Sequence, residues 1–271
     1  MKNLNTLFRQ RIGMLSHETI QFDNLDVFLE RIAREIPFEN LCVIDNSARN
    51  ITKENLINKI ITRNEGGLCY ELNTILHLFL IENGFTSTLV RGRTYDHNEK
   101  RWSAAGKTHI LNLITHEDQQ YVVDTGFGAN LPLRPIPLSG SVVESHNGEF
   151  RVEKNRSKDG EYFLYIRLKH RQEDWKLGYI FDSTEEVKDF SVLNEVQKLI
   201  IEHPESRFNK KPLVTKINER GIIILTNTSF IELNNGKETK KAIDDTIFKK
   251  MLINEFNIRT FGNFSSKLEF N

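Results

Sequence analysis

The spacing of apolar residues divides the chain into three parts. Up to Asn83, apolar positions recur at helical spacing, as in the run 25–36 that Pro37 ends, which predicts a bundle of amphipathic helices. From Phe85 to about Phe181 the period changes to two, which predicts antiparallel sheet. Helical and strand patterns are mixed in the remainder, so the expected fold class is α+β.

The last part begins with a predicted helix. Ser183 and Glu186 have the spacing of a capping box for a helix that runs toward Ile201 and ends at His203 and Pro204. Two strands and a second helix are predicted to follow at 212–218, 221–228 and 245–256. We therefore expect three domains, with boundaries at 1–83, 84–182 and 183–271.

A pair of glycines leads into a helix in the segment 66–71, Gly-Gly-Leu-Cys-Tyr-Glu. Apolar residues recur at helical spacing from Leu68 to Asn83, which places Cys69 in the first turn. The unpaired N–H groups and the positive end of the helix dipole favour a thiolate there. Cys69 is therefore a candidate nucleophile.

An imidazole and a carboxylate occur in the next pair of predicted strands, 108–114 and 120–124. If the hairpin is centred in the polar stretch between them, His109 lies directly opposite Asp124. Side chains that oppose each other on one face of an antiparallel pair are close enough for a hydrogen bond between imidazole and carboxylate. We therefore expect the two side chains to interact.

Each of these three residues also has a purely structural interpretation. Cys69 could be a small buried apolar residue, as we expect for Cys42, His109 could be a core histidine, and Asp124 could form a turn. Their combination favours catalysis, because a base that activates sulfur and an acid that orients the base are the parts of a nucleophilic site. The predicted chemistry is acyl transfer through a thioester.

Composition limits the possible partners. The 37 basic and 37 acidic residues balance, so no net field attracts nucleic acid or an anionic membrane. The two cysteines lack zinc-ligand spacing, and no apolar run is long enough for a signal peptide or a membrane span. Because a catalytic thiolate suits a reducing compartment, we expect a cytoplasmic protein.

Five segments together resemble the arylamine N-acetyltransferases. They are Ile-Pro-Phe-Glu-Asn-Leu at 36–41, Gly-Gly-Leu-Cys-Tyr-Glu-Leu-Asn at 66–73, the His109 strand, Asp-Thr-Gly-Phe-Gly at 124–128 and His-Pro-Glu-Ser-Arg-Phe at 203–208. The resemblance implies a helical bundle, an antiparallel β-barrel and an α/β lid around a Cys-His-Asp core similar to that of cysteine proteases. It also implies ping-pong acetyl transfer from acetyl-CoA, as a substrate and not a bound cofactor, to arylamines or arylhydrazines.

The same resemblance indicates where the substrates bind. It places Phe38 and Phe127 in the acceptor pocket, and Phe208 is a further candidate by its motif; aromatic rings suit a flat aryl amine. CoA is expected to approach the loop that leads into the His109 strand, where small residues allow a close backbone approach and a lysine can meet a phosphate. The candidate CoA contacts are Gly106, Lys107 and Thr108.

One position departs from the family pattern. The family commonly has Arg immediately before the Gly-Gly pair, where it forms an ion pair with the Glu of Pro-Phe-Glu-Asn, but this chain has Glu65. Two carboxylates, Glu39 and Glu65, would then lie where an ion pair is expected. Arg63 is the nearby cation that could compensate.

Two other functions are compatible with the same residues. A member of this fold could use malonyl-CoA or form an amide on a biosynthetic intermediate. A thiol hydrolase similar to transglutaminases or papain shares the Cys, His, Asp or Asn order, and it would need no CoA.

Overall fold

The computed structural model describes residues 3–171 and 173–259, in which helices pack against two antiparallel sheets. A π-helical turn over Ile57–Thr62 continues the fourth helix, and short 3₁₀ turns lie at Phe22–Asn24 and Gly128–Asn130. The α-helices are α1 (Leu4–Arg11), α2 (Leu25–Glu35), α3 (Leu41–Ile44), α4 (Lys53–Leu56), α5 (Cys69–Glu82), α6 (Phe190–Glu202) and α7 (Asp245–Asn254).

Fourteen strands lie within the described residues. They are β1 (Phe38–Glu39), β2 (Thr86–Asp96), β3 (Arg101–Trp102), β4 (His109–His116), β5 (Gln119–Val123), β6 (Ile136–Pro137), β7 (Val143–Ser145), β8 (Gly148–Ser157), β9 (Gly160–Leu168), β10 (Lys176–Glu186), β11 (Leu213–Asn218), β12 (Gly221–Thr226), β13 (Ser229–Asn234) and β14 (Lys237–Ala242).

The larger sheet has nine strands and is a nearly closed barrel. Its order is β6-β5-β4-β2-β10-β9-β8-β7, with β3 paired to β2, and β6 returns to contact β8. Val90, Leu111, Phe150 and Phe181 are among the fully buried residues of its core. The smaller sheet has the order β1-β11-β12-β13-β14. This α+β architecture agrees with the expected fold class.

The domain boundaries stay a prediction. Strand β1 lies in the first predicted part, 1–83, but it pairs with β11, which lies in the third part, 183–271. The second part, 84–182, ends within β10. Residues 260–271 lie outside the described residues.

Helix α5 connects the helical part to the barrel. Ile75, Leu76 and Phe79 are almost fully buried, in one apolar cluster with Phe8 of α1 and Ile110 of β4. A helix that is buried nearly all round needs apolar residues on most of its faces, and the run from Leu72 to Leu80 supplies them. The position of Cys69 is therefore fixed by the packing of the whole helix.

The predicted start of the helix in the last part of the chain is wrong. Residues Ser183 and Glu186 belong to strand β10, and α6 begins at Phe190 with Asp189 as its N-cap, whose side chain accepts a hydrogen bond from the Ser191 N–H. A capping box is a local signal, and here the pairing of β10 with β2 overrides it. The predicted end of this helix before His203 is confirmed.

The β4–β5 hairpin has a register other than the expected one. His116 pairs with Gln119 and Asn112 with Val123, so the turn consists of Glu117 and Asp118 alone. Both turn residues have positive φ, 47° and 60°, as in a tight type I′ hairpin turn. His109 is therefore not directly opposite Asp124, which lies just beyond the end of β5.

Candidate active site

Cys69 is the first residue of α5 and is 5% exposed. The turn before it is tight: a Cβ on Gly66 would lie 1.9 Å from the Pro37 carbonyl oxygen, and one on Gly67 would lie 2.8 Å from Glu71 Oε2. The Leu68 N–H donates to Glu71 Oε2 at 3.0 Å, which completes the helix start. Only glycine fits at these two positions, and the predicted location of Cys69 in the first turn is confirmed.

His109 and Asp124 form a buried hydrogen bond. The Nε2–H of His109 donates to Asp124 Oδ2 at 2.7 Å, and both side chains are almost inaccessible to solvent. The interaction was expected, although the register that suggested it is wrong. In the observed register Asp124 lies two residues from the position directly opposite His109, which makes it a diagonal neighbour. Diagonal neighbours on paired strands are still within reach of each other, so the two side chains meet.

The electrostatics of this pair favour an imidazolium. Burial opposes the charge on His109, but the Asp124 carboxylate outweighs it and raises the pKa of His109 to about 10. Burial likewise opposes the charge on Asp124, but His109 outweighs it and lowers the pKa of Asp124. At neutral pH the pair is therefore a carboxylate and an imidazolium.

The thiol of Cys69 lies beside His109 and contributes to the raised pKa of the imidazole. Since Nε2 is bonded to Asp124, the other ring nitrogen, Nδ1, is the one left for sulfur. The Cys69 sulfur also lies 3.5 Å from the Thr108 carbonyl oxygen. The structure thus brings together all three residues that the sequence singled out.

Asn73, one turn after Cys69, fixes the carboxylate. Its Nδ2 donates to Asp124 Oδ1 at 2.8 Å and to the Ile110 carbonyl at 2.7 Å, and the Gly126 N–H donates to the same Asp124 oxygen at 2.8 Å. Sequence reasoning missed this role. The signal was present, because Asn73 is a polar residue four positions after Cys69 on an apolar helix.

Gly126 permits the close contact between the Asp124 turn and the nucleophile helix. A Cβ at this position would lie 2.5 Å from the Cys69 Cα and 2.7 Å from Asn73 Nδ2. Any other residue would push the turn away from α5.

Aromatic rings surround the imidazole. The ring of His109 lies 5.3 Å from Phe127 and 4.6 Å from Tyr179 between centroids. Phe38 and Phe208 meet edge to face at 5.6 Å. Tyr179 was missed as a site residue; it is fully buried, and burial together with the nearby Asp124 carboxylate raises its pKa.

Glu39 and Glu65 each have a cationic partner. Glu65 pairs with Arg63 at 2.9 Å. Glu39 pairs instead with Lys59, on the π-helical turn, at 3.2 Å, and Lys59 also meets Glu71 at 2.7 Å. The position before Gly-Gly therefore has its own cation, and a lysine takes the place of the usual arginine.

Lys59, Glu39 and Glu71, which we term the ionic cluster, lie behind the start of α5. Burial opposes the charge on Lys59, but Glu39 and Glu71 outweigh it and raise the pKa of Lys59 well above its usual value. The other free thiol, that of Cys42, is half-buried near this cluster, and burial raises its pKa to about 12. The thiol of Cys42 is therefore neutral at physiological pH, and its purely structural role stays a prediction.

The loop before His109 differs in part from expectation. Gly106 has a φ of +78°, which suits glycine, and the Thr108 carbonyl faces Cys69. Lys107, however, pairs with Asp182 at 3.1 Å and also with Glu185. A partly exposed ion pair of this kind is weak, so Lys107 as a ligand for a CoA phosphate stays a prediction.

Within the part of the chain that the structure describes, no cluster of His, Cys, Asp or Glu could hold a metal ion. The same described residues include no helix that is long and apolar enough to cross a bilayer.

Comparison with known proteins gives consistent results. An N-acetyltransferase family model matches residues 19–263. An uncharacterized acetyltransferase of Bacillus subtilis is 37% identical over 86% of this chain and 89% of its own length. A probable arylamine N-acetyltransferase of Dictyostelium discoideum is 35% identical over 93% of this chain and 92% of its own.

Solved structures agree. Arylamine N-acetyltransferase C from Bacillus anthracis is 36% identical, with a TM-score of 0.90 over 95% of this chain and 99% of its own. The NAT3 enzyme of Bacillus cereus is 37% identical, with a TM-score of 0.90 over 96% and 100%, and is described as having a Cys-His-Glu triad. In this chain the carboxylate bonded to His109 is that of Asp124. The chain belongs to the arylamine N-acetyltransferase family.

Proposed function

We propose that this enzyme transfers an acetyl group from acetyl-CoA to the nitrogen of an arylamine or arylhydrazine through a thioester on Cys69. The observation that carries the proposal is the buried line of Cys69, His109 and Asp124, in a chain of this family. A thiol beside an imidazolium is an activated nucleophile. Asp124 keeps the Nε2 proton in place, so that Nδ1 exchanges its proton with the reacting groups.

In the first half-reaction the Cys69 thiolate attacks the carbonyl carbon of acetyl-CoA. The bond between that carbon and the CoA sulfur breaks, and CoA leaves as a thiol with the proton from His109. The N–H of Cys69, which has no acceptor within the helix at its first position, is one donor for the oxyanion. Acetyl-Cys69 and neutral His109 remain.

In the second half-reaction the amine nitrogen attacks the thioester carbon. His109 removes one proton from the nitrogen, the bond between carbon and Sγ breaks, and the amide leaves. Cys69 is then again a thiolate beside an imidazolium. This cycle needs no bound cofactor and gives ping-pong kinetics.

The rings of Phe38, Phe127 and Phe208 support an aromatic acceptor. Phe127 lies against the imidazole, and Phe208 meets Phe38 near the Gly128 turn. A flat aryl group can stack in such a wall. Acetylation of foreign arylamines would make this an enzyme of xenobiotic metabolism, and the need for a reduced Cys69 suits the cytoplasm.

For the CoA site we propose Gly106, Lys107 and Thr108, where Lys107 would exchange a carboxylate partner for a CoA phosphate. The positive φ of Gly106 and the Thr108 carbonyl beside sulfur support a close approach of the thioester along this loop.

The test is CoA release from acetyl-CoA or malonyl-CoA with arylamines, arylhydrazines or water as acceptor. Acetyl-CoA with an arylamine should give rapid release, and acetyl-CoA alone should add one acetyl group to Cys69 by intact mass. Cys69→Ala should abolish both results, and Cys42→Ala should preserve both. Release with no acceptor but water, or labelling of Cys42, would refute the proposal.

A further inference from the structure

One face of α5 carries three polar residues at successive turns. Cys69, Asn73 and His77 are four residues apart and so lie in a line along the helix. His77 faces Ser87 on β2, and Asn73 faces Asn112 on β4. Only Cys69 and Asn73 have a place in the chemistry described so far.

Asn112 is unusual for its position. It is fully buried between Ile110 and Ile114, on the face of β4 that contributes to the same apolar cluster as α5. A polar side chain in such a place costs free energy unless it is hydrogen-bonded. Its Nδ2 donates to the Asn73 carbonyl at 3.1 Å and to Asn73 Oδ1 at 3.3 Å.

The chain of hydrogen bonds continues away from the active site. The Ser87 hydroxyl donates to Asn112 Oδ1 at 3.2 Å, and His77 Nδ1 lies 3.0 Å from the Ser87 oxygen. We term His77, Ser87, Asn112 and Asn73 the polar chain.

The direction of every bond in the polar chain is fixed by its acceptors. Asn73 Nδ2 faces the Ile110 carbonyl and the Asp124 carboxylate, which only accept, so Asn73 Oδ1 is the acceptor of the hydrogen bond that Asn112 Nδ2 donates. Asn112 Oδ1 likewise only accepts, so Ser87 donates to it. Ser87 then accepts from His77, which must carry its proton on Nδ1.

All four residues thus donate in one direction, toward the Asp124 carboxylate. Aligned hydrogen bonds polarise one another in a medium of low dielectric constant. A carboxylate that receives such a line of dipoles is held in one orientation, and here that orientation points its other oxygen at His109.

We propose that Asn112, Ser87 and His77 are positioning residues for acetyl transfer, which act through Asn73 to align Asp124 and His109 with Cys69. The proposal rests on the proposed function. The direction in which the polar chain donates its hydrogen bonds therefore matters, in addition to the space that its side chains fill.

The test compares variants that break the chain with variants that preserve it. Ser87→Ala, Asn112→Leu and His77→Leu each remove one link. Ser87→Thr keeps the hydroxyl, and His77→Asn keeps a donor at the place of Nδ1. Thr74→Val is the matched control, because its buried hydroxyl on α5 donates to the Tyr70 carbonyl and lies outside the polar chain.

Two readouts separate positioning from folding. The first is the rate of Cys69 acetylation by acetyl-CoA in a single turnover, and the second is the low-field proton resonance of the imidazolium Nε2–H of His109. The net worth of one hydrogen bond corresponds to a loss of roughly three- to tenfold in rate. We expect the loss to be largest for Asn112→Leu and smallest for His77→Leu, with a shifted resonance in each.

Ser87→Thr, His77→Asn and Thr74→Val should keep the rate and the resonance of the unmodified enzyme. If the variants that remove a link lower only the unfolding temperature, the polar chain has a structural role alone and the proposal is wrong. If Asn112→Leu does not fold, the test uses the variants of the half-buried residues Ser87 and His77. Ser87→Ala is then compared with Ser87→Thr, and His77→Leu with His77→Asn.

Failure of the proposed function would look different. The enzyme would then not be acetylated at all, but the rate of Cys69 alkylation by iodoacetamide and the His109 resonance would still report on the chain. Unchanged values of both in Ser87→Ala would overturn the positioning role independently of the substrate.

Discussion

Two buried polar networks meet helix α5, and they differ in what they are made of. The ionic cluster places a full positive charge between two carboxylates behind the helix start. The polar chain uses neutral amides, a hydroxyl and an imidazole, which end on Asp124. A buried charge without its partner is costly, whereas a broken line of dipoles mainly loses alignment. The first network should therefore control stability and the second reactivity.

The sharpest contrast is expected from Asp124→Asn. Asn73 and Gly126 both donate to Oδ1, so the amide oxygen takes that place and the amide N–H faces His109 Nε2. His109 must then carry its proton on Nδ1, the wrong tautomer for the thiolate. We expect kcat/KM to fall about 10³- to 10⁴-fold, while the protein still unfolds cooperatively in urea. Activity close to that of the unmodified enzyme would make Asp124 structural.

Lys59→Met should mainly lower stability, in contrast to Asp124→Asn, which should mainly lower activity. It leaves Glu39 and Glu71 buried and close together without a cation, which should lower the free energy of unfolding by about 3 to 5 kcal/mol. Urea unfolding measures this loss. Lys59→Arg is the control, since it keeps the charge. A loss below about 1 kcal/mol in Lys59→Met would show that the ionic cluster is not an anchor.

The pH dependence of stability tests the imidazolium itself. The pKa of His109 is raised from 6.5 to about 10, so its stabilising contribution is complete below about pH 6.5 and is lost as the pH rises through 10. Within that window the free energy of unfolding should fall by up to about 1.4 kcal/mol per pH unit from this group. Asp124→Asn should have a shallower slope, because the main charge that raises the pKa is gone. Equal slopes would contradict the pairing.

The smallest effect is expected at Glu65. Glu65→Arg places a second cation beside Arg63 and removes an ion pair of 2.9 Å, so it should destabilise the enzyme by about 1 kcal/mol. Glu65→Gln is the control for the loss of charge alone. A gain in stability would show that Glu39 has room for another cation besides Lys59.

Features set by neighbouring residues could be predicted from the sequence. The Gly-Gly pair and the apolar period gave the start of α5, and the order of Cys69, His109 and Asp124 gave the chemistry. Each of these depends on a short stretch of chain or on a motif with few alternatives.

Features set by pairing across the fold could not. The hairpin register is off by two residues, a shift that leaves every side chain on the same face, so the apolar pattern could not reveal it. Lys59 gave no signal, because an isolated lysine in a helical run is usually solvated, and only the packed structure shows its two carboxylates. Asn112 interrupts an apolar strand, but its partners lie on other elements.

Because burial raises the pKa of Cys42, titration with a thiol reagent can measure the concentration of active sites. The chain has two cysteines, and burial keeps Cys42 as an unreactive neutral thiol at physiological pH. A limiting amount of a thiol reagent should therefore modify Cys69 alone in the native protein. The reagent consumed per mole of protein gives the fraction of molecules with a competent nucleophile, which lets turnover be expressed per working site and separates a slow variant from a partly inactive preparation.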